Sequence, residues 1–153
     1  MIIAIGSDHA GFALKEIIRA RLESQDHRLT DFGTHSSEPA DYPDIAVPLA
    51  QAVASGRFER GIMVCGAGIG SSLACNKVPG IRAAVAHDTY SARMSREHND
   101  VNVLCLGGRV VGPELAMEVV RVWLRSEFTG EERHARRLEK ISRLERPGAD
   151  ASG

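Results

Sequence analysis

The feature that most constrains the fold is the regular alternation of short apolar runs with longer amphipathic stretches. Runs such as 2–5 and 62–64 have the length of single buried strands. The stretches between them space their apolar residues as helices that cover a sheet do. This pattern predicts a Rossmann-like three-layer α/β/α sandwich around a five-stranded parallel sheet, with an appended C-terminal helix.

The predicted elements follow one another as strand–helix units. Strands are expected at residues 2–6, 28–32, 61–65, 81–86 and 102–107, and helices at 12–22, 45–55, 71–77, 89–97 and 113–126. Pro113 suits a first helical turn, and Asp88 or Thr89 suits an N-cap.

A further helix is predicted after the last strand–helix unit, at about residues 131–145. It has one apolar face and no strand left to cover, so we expect it to pack on a neighbouring subunit. Residues 1–145 are therefore expected to form a single domain. Residues 146–153 have no apolar anchor and are expected to be a disordered tail.

Composition and charge argue against several classes of protein. Of the 153 residues, 43% are hydrophobic and 25% are charged, and the formal net charge is −1. There is no basic excess for binding nucleic acid, and no apolar run approaches the roughly 20 residues of a membrane span. The first residues do not resemble a signal peptide, so a cytoplasmic location is expected. Three cysteines without CxxC spacing predict reduced thiols.

The segment with the clearest chemistry is the loop at residues 65–70, Cys-Gly-Ala-Gly-Ile-Gly. It follows a predicted buried strand and leads into a helix, so the Cys65 thiol should lie beside exposed backbone N–H groups. Such surroundings favour a thiolate, which can act as a base or nucleophile. The loop is also suited to hold the developing oxyanion of a small substrate. For Cys75 and Cys105 we expect the common role of a free cysteine, a small buried hydrophobe.

Dinucleotide binding and metal binding fit this sequence less well. A dinucleotide fingerprint reads GxGxxG after the first strand, whereas these glycines alternate after the third, although Asp88 follows the next strand where a ribose-binding carboxylate could lie. His9 beside Asp8, and His87 beside Asp88, could suggest a metal. The histidine spacings typical of metal sites are absent from the sequence.

Ligands of parallel α/β sheets bind beyond the carboxyl ends of the strands, which makes the residues after each strand candidates for the site. These residues are Ser7, Asp8, His9, Cys65 with its glycines, His87, Asp88, Gly107, Gly108 and Arg109. His98 ends a predicted helix, where an isolated histidine is more often a C-terminal cap than a catalyst. Arg133 and Arg137 share a helix face and could clamp a phosphate together with Arg109, although a solvated charged face is the common alternative.

Several segments together resemble the type B ribose-5-phosphate isomerase family, which includes the galactose-6-phosphate isomerase subunits. They are residues 6–12, 41–43, 65–70, 76–82, 95–100, 107–112 and 133–134. The cysteine–glycine loop and the His98-Asn99 pair are the most specific of them.

The resemblance implies an aldose–ketose isomerase that moves a proton between C1 and C2 of a sugar phosphate through a cis-enediolate. Cys65 matches the catalytic base, and His98 matches the acid that assists ring opening. Sugar-binding positions are matched by Asp8, His9, Tyr42, Gly66, Ala67, Gly68, Ile69, Gly70 and Asn99, and phosphate-binding positions by Arg109, Arg133 and Arg137. Members of the family need no metal or organic cofactor. They are homodimers or dimers of dimers whose sites are shared between subunits.

The implied substrate is ribose 5-phosphate, converted to ribulose 5-phosphate in the pentose phosphate pathway. Ala67 departs from the family pattern of Thr or Ser and removes one hydroxyl from the loop. Residues 76–82 and 87–91 also resemble enzymes of four-carbon sugar phosphates, whereas His98-Asn99 favours pentose enzymes that open a ring. The alternatives are the same reaction on erythrose 4-phosphate, allose 6-phosphate or galactose 6-phosphate, and a non-catalytic module that binds a sugar phosphate or nucleotide.

Overall fold

Strands and helices alternate along the chain in the computed structural model, which describes residues 1–25 and 27–145. The strands are β1 (Ile2–Ser7), β2 (Arg28–Asp31), β3 (Arg60–Cys65), β4 (Ala83–Val85) and β5 (Val103–Gly107). The helices are α1 (Phe12–Glu23), α2 (Tyr42–Ala54), α3 (Ile69–Cys75), α4 (Thr89–Glu97), α5 (Pro113–Arg125) and α6 (Glu132–Arg143). The tail predicted at 146–153 lies outside the described residues.

The strands form one parallel sheet in the order β2-β1-β3-β5-β4, which confirms the predicted α/β fold. β3 lies at the centre, and each of its residues is buried. The chain leaves β1 toward β2 on one side and later returns to β3 on the other. This reversal places a ligand crevice at the carboxyl ends of β1 and β3.

Helices cover both faces of the sheet. On one face, α1 and α5 contribute Leu14, Ile18 and Trp123 to a buried apolar cluster. On the other face, α2 and α3 contribute Leu49 and Cys75. Among the described residues, no helix is long and apolar enough to span a membrane.

Several boundaries differ from the prediction by two or more residues, and the differences at α2 and β4 have local reasons. α2 begins at Tyr42 rather than near residue 45, because Asp41 takes an extended N-cap conformation and Pro43 fits the first turn, where its missing N–H costs no hydrogen bond. β4 has three residues rather than six. At its start the backbone N–H groups bond to side chains, since Ala83 N–H donates to Asn76 Oδ1 at 2.8 Å and Arg82 N–H donates to Asn102 Oδ1 at 2.9 Å.

The appended helix α6 lies beside β4 at the edge of the sheet and leaves a cleft of about 530 Å³ against it. Leu138 and Ile141 line this cleft, and Gly80 N–H donates to Glu145 Oε2 at 2.9 Å. Ile141 is half-exposed and Leu144 is more exposed still. The apolar face predicted for α6 is therefore only partly covered by its own chain.

Candidate active site

Cys65 ends β3 and lies in the strand register opposite Gly107 of β5. Its side chain is buried, at 4% exposure. Two donors point at the sulfur: Gly68 N–H and the Ser71 hydroxyl, each 3.2 Å from Cys65 Sγ. Gly68 has φ +80°, a left-handed conformation that turns the loop back toward the thiol and that a side chain would oppose. The loop that follows Cys65 thus turns a backbone N–H group toward the thiol, as predicted from the sequence.

The glycine loop is enclosed by two side chains from other elements. Tyr42 lies against Gly70 so closely that a Cβ there would be 2.6 Å from the tyrosine Cζ. Arg109 extends over Gly66, with Nη1 3.7 Å from where a Cβ would stand. Within residues 1–25 and 27–145, no acceptor bonds to the N–H groups of Gly66 and Ala67. These two N–H groups are therefore available to an anionic oxygen.

The residues after β1 form the opposite wall of the crevice. Asp8 is buried, and its Oδ1 accepts from Gly11 N–H at 3.0 Å. His9 Nδ1 lies 3.2 Å from Ala40 N and 3.3 Å from Ala40 O, which commits that ring nitrogen to the protein in either tautomer. The other ring nitrogen, Nε2, is then the one suited to contact a ligand.

Lys15 anchors the start of the chain segment that leads from β2 to Ala40. The side chain is fully buried in α1, and its Nζ donates to Asp31 Oδ2 at 2.6 Å and to Thr34 O at 2.7 Å. Because a buried ammonium group needs such partners, the lysine joins the end of β2 and the segment after it to α1. No role for Lys15 was predicted from the sequence.

His98 lies at the opposite end of the sheet from Cys65. It is the C-cap of α4, and its N–H donates to Met94 O at 2.9 Å. α4 ends before β5 begins at Val103, whereas Cys65 pairs with the last residue of β5. The ends of β5 are separated by about 13 Å at the usual rise of a parallel strand. The two predicted catalytic residues therefore do not meet within one chain.

The remaining predicted residues lie with His98. The ring of His98 stacks on His134 of α6 at a centroid distance of 4.2 Å. Burial and the neighbouring His98 lower the pKa of His134, which favours its neutral form. Arg133 is exposed and its Nε donates to Glu131 Oε2 at 2.8 Å. Arg137 is exposed four residues further along α6, and Asn99 lines the cleft beneath that helix.

The predicted site residues thus lie in two groups at opposite ends of the sheet. The first lies at the carboxyl end of the sheet and comprises Asp8, His9, Tyr42, Cys65, the residues Gly66, Ala67, Gly68, Ile69 and Gly70, and Arg109. The second lies at the amino end and comprises His98, Asn99, Arg133 and Arg137. Sequence reasoning missed Ser71 and gave His134 no role. In the sequence, His134 is noted only as part of residues 133–134, a segment that resembles the family.

Two other candidates at strand ends, His87 and Asp88, bond to backbone N–H groups, whereas the buried Oγ of Ser7 has no hydrogen-bond partner among the described residues. His87 Nε2 accepts from Gly107 N–H at 2.8 Å, and burial lowers the pKa of His87. Asp88 is the predicted N-cap of α4, with Oδ1 2.7 Å from Ser91 N. In the part of the chain that the structure describes, no three His, Cys, Asp or Glu side chains are grouped as metal ligands would be.

The chain is similar to sugar-phosphate isomerases of known sequence. Residues 3–141 match the family described as Ribose/Galactose Isomerase. Ribose-5-phosphate isomerase B of Escherichia coli is 50% identical over 143 residues, which cover 94% of this chain and 95% of the relative. D-erythrulose-4-phosphate isomerase of Pectobacterium atrosepticum is 46% identical over 144 residues, which cover 94% of each.

Solved structures show the same relationship. Ribose-5-phosphate isomerase B of Clostridium thermocellum has a TM-score of 0.93 and 54% identity, covering 95% of this chain and 97% of its own. The enzyme of Mycoplasma genitalium, solved with bound ribulose 5-phosphate, has a TM-score of 0.90 and 38% identity, covering 94% and 95%. From the family match over most of its length and from these relatives, we conclude that the chain belongs to the ribose/galactose isomerase family.

Proposed function

We propose that this protein is an aldose–ketose isomerase that interconverts ribose 5-phosphate and ribulose 5-phosphate. The observation that carries the proposal is a buried thiol, Cys65, held against a loop whose N–H groups at Gly66 and Ala67 are available to an oxyanion. The Escherichia coli relative, named ribose-5-phosphate isomerase B, supports this substrate. The bound ribulose 5-phosphate of the Mycoplasma genitalium structure supports it as well.

The reaction needs one base and donors for two oxygens. The Cys65 thiolate takes the proton from C2 of the open aldose, which gives a thiol and a cis-enediolate. The loop N–H groups stabilise the negative charge that develops on the oxygens. Within the enediolate the proton of the C2 hydroxyl passes from O2 to O1. The thiol then returns its proton to C1, so the ketose forms and the thiolate is restored. The reaction consumes no other reactant, and no cofactor enters the proposed steps.

A second copy of the chain would bring the two groups of predicted site residues together. His98 would act from the partner as the acid that assists ring opening, with Asn99 beside it on the sugar. An apolar surface next to the catalytic loop supports this arrangement, because Ile69 and Leu73 of α3 are one helical turn apart and are 60% and 63% exposed. We therefore propose a homodimer, or a dimer of dimers, with shared sites.

The three arginines are proposed to bind the phosphate. Arg109 extends over the loop of one subunit, and Arg133 and Arg137 would approach from α6 of the other. Asp8, His9 and Tyr42 would contact the sugar from the walls of the crevice.

The three cysteines, all free and buried, agree with the reducing cytoplasm expected from the sequence.

Arg137→Ala is expected to raise KM for ribose 5-phosphate about tenfold or more, since it removes a cation from a charge-assisted contact. The effect on kcat should be smaller, because the phosphate is remote from the transferred proton. Arg133→Ala should act in the same direction. Steady-state kinetics would measure both variants.

Arg136→Ala is the matched control, since Arg136 lies on the same helix, is exposed, and pairs with Glu132 at 3.6 Å. Its KM should equal that of the wild type. If KM were unchanged in both Arg133→Ala and Arg137→Ala, these residues would not bind the phosphate and would belong to a solvated charged surface.

The same reaction on a tetrose phosphate is the second candidate function. It is favoured by the relative named D-erythrulose-4-phosphate isomerase, which is 46% identical. It is favoured too by Ala67, which offers no side-chain hydroxyl to the reacting oxygens. No comparable observation favours the reaction on hexose phosphates or a non-catalytic binding module.

A screen of aldose phosphates with four, five and six carbons tests the proposal directly. The highest kcat/KM is expected with ribose 5-phosphate, measured by appearance of the ketose. A higher kcat/KM with erythrose 4-phosphate would assign the protein to the tetrose reaction. Binding without turnover of any of them would show a non-catalytic module.

A further inference from the structure

Ser71 is a buried hydroxyl that contacts the proposed base. It lies in the first turn of α3 and has no exposed surface. Its Oγ is 3.2 Å from Cys65 Sγ and 3.1 Å from the carbonyl oxygen of Gly68. A serine in the first turn of a helix can bond a nearby carbonyl without any further role. The contact with the sulfur is the additional observation.

The hydroxyl has one proton to donate, and it lies within reach of Cys65 Sγ and Gly68 O and also interacts with Cys105. When Cys65 is a thiolate, Ser71 O–H can donate to the sulfur. When Cys65 is a thiol, Ser71 O–H can donate to Gly68 O while its oxygen accepts from S–H. Rotation of one hydroxyl therefore satisfies both protonation states, and Ser71 keeps its own proton throughout.

We propose that Ser71 is a positioning residue that stabilises the thiolate of Cys65 and reorients its hydroxyl each time the thiol gains or loses the substrate proton. This inference rests on the proposed function, in which Cys65 is the base. Within the described residues, Gly68 N–H is the other donor to this sulfur. Loss of the Ser71 hydroxyl would therefore remove one of two hydrogen bonds to a buried anion.

The titratable groups on the elements around Cys65 are unchanged in the Ser71 and Ser72 variants described below. They are Asp8 and His9 after β1, Cys105 on β5, His87 through its bond to Gly107, and Arg109 after β5. Contact with Cys75, together with burial, raises the pKa of Cys105 and outweighs a hydrogen bond with Ser71 that lowers it, so Cys105 remains a neutral thiol with or without the Ser71 hydroxyl. A change on mutation of Ser71 is then attributable to the lost hydroxyl.

The test is the pH dependence of Cys65 alkylation by iodoacetamide, followed by mass spectrometry of the peptide that contains it. In Ser71→Ala the midpoint should rise by about one pH unit, which lowers the thiolate fraction about tenfold below the midpoint. The acidic limb of kcat/KM for ribose 5-phosphate should move by the same amount. Ser71→Thr, which keeps the hydroxyl, should restore much of the wild-type midpoint.

Ser72→Ala is the matched control, because that hydroxyl lies on the next residue and is directed to Ala83 O at 3.5 Å. It should leave the midpoint unchanged. An unchanged midpoint in Ser71→Ala, with or without lower activity, would overturn the proposal and leave Ser71 a structural role. A raised midpoint in Ser71→Ala would support the effect of Ser71 on the Cys65 thiol. Normal turnover in Cys65→Ala would overturn the proposed mechanism but would leave that effect intact.

Discussion

Replacing Cys65 with alanine is expected to lower kcat for ribose 5-phosphate by between about a hundredfold and ten-thousandfold, the range lost when a general base is removed. Alanine cannot accept a proton, and the buried site offers no bulk water as a substitute. Binding of the sugar phosphate should survive, because the residues proposed to contact the sugar and the phosphate are unchanged. Turnover assays and calorimetric titration with ribulose 5-phosphate would separate the two effects.

Cys75→Ala is the control for this result. Cys75 is also buried, but it ends α3 within the apolar core, and its Sγ contacts Ala46 O at 3.7 Å. A small loss of stability with near-normal kcat is expected. If Cys65→Ala had near-wild-type kcat, another group would be the base and the proposed mechanism would be wrong.

Replacing His98 with asparagine is expected to separate pentose from tetrose substrates. Ribose 5-phosphate is mostly a closed furanose and must be opened by an acid, whereas erythrose 4-phosphate has its O4 phosphorylated and cannot form that ring. His98→Asn should therefore lower kcat/KM for ribose 5-phosphate about a hundredfold or more, while erythrose 4-phosphate loses little. Asparagine keeps a planar side chain against His134 but provides no titratable proton.

The ratio of the two losses is the informative quantity, since a general disturbance of α4 would affect both substrates alike. Equal losses would exclude a ring-opening role for His98. A loss confined to ribose 5-phosphate would support that role and would explain why a histidine at a helix C-cap matters for catalysis.

Much of the fold was predictable from the sequence because the signals were local. The apolar run before Cys65 had no polar interruption, which is typical of a central parallel strand, and Asp88 had the chemistry of an N-cap. The length of β4 was not predictable in this way. It depends on Asn76 and Asn102, whose side chains bond to the backbone at Ala83 and Arg82 from outside the strand.

The site was predictable as a set of residues but not as an arrangement. Cys65, His9 and Arg109 follow strands, so the sequence correctly predicted that they share one end of the sheet. The family resemblance grouped His98 with them, although α4 carries it to the other end. The contact of Ser71 with Cys65 was not predictable from the sequence, because it depends on how Gly68 turns the loop and not on any spacing rule.

The activity of a hybrid dimer made from Cys65→Ala and His98→Asn chains is the decisive measurement for a site shared between subunits. The two variants, carrying different affinity tags, would be co-expressed and the hybrid isolated by two affinity steps. If sites are shared, one of its two sites contains both wild-type residues, so its kcat for ribose 5-phosphate should be about half that of the wild type. A hybrid no more active than the two inactive parents, or the absence of any dimer in solution, would contradict the shared site.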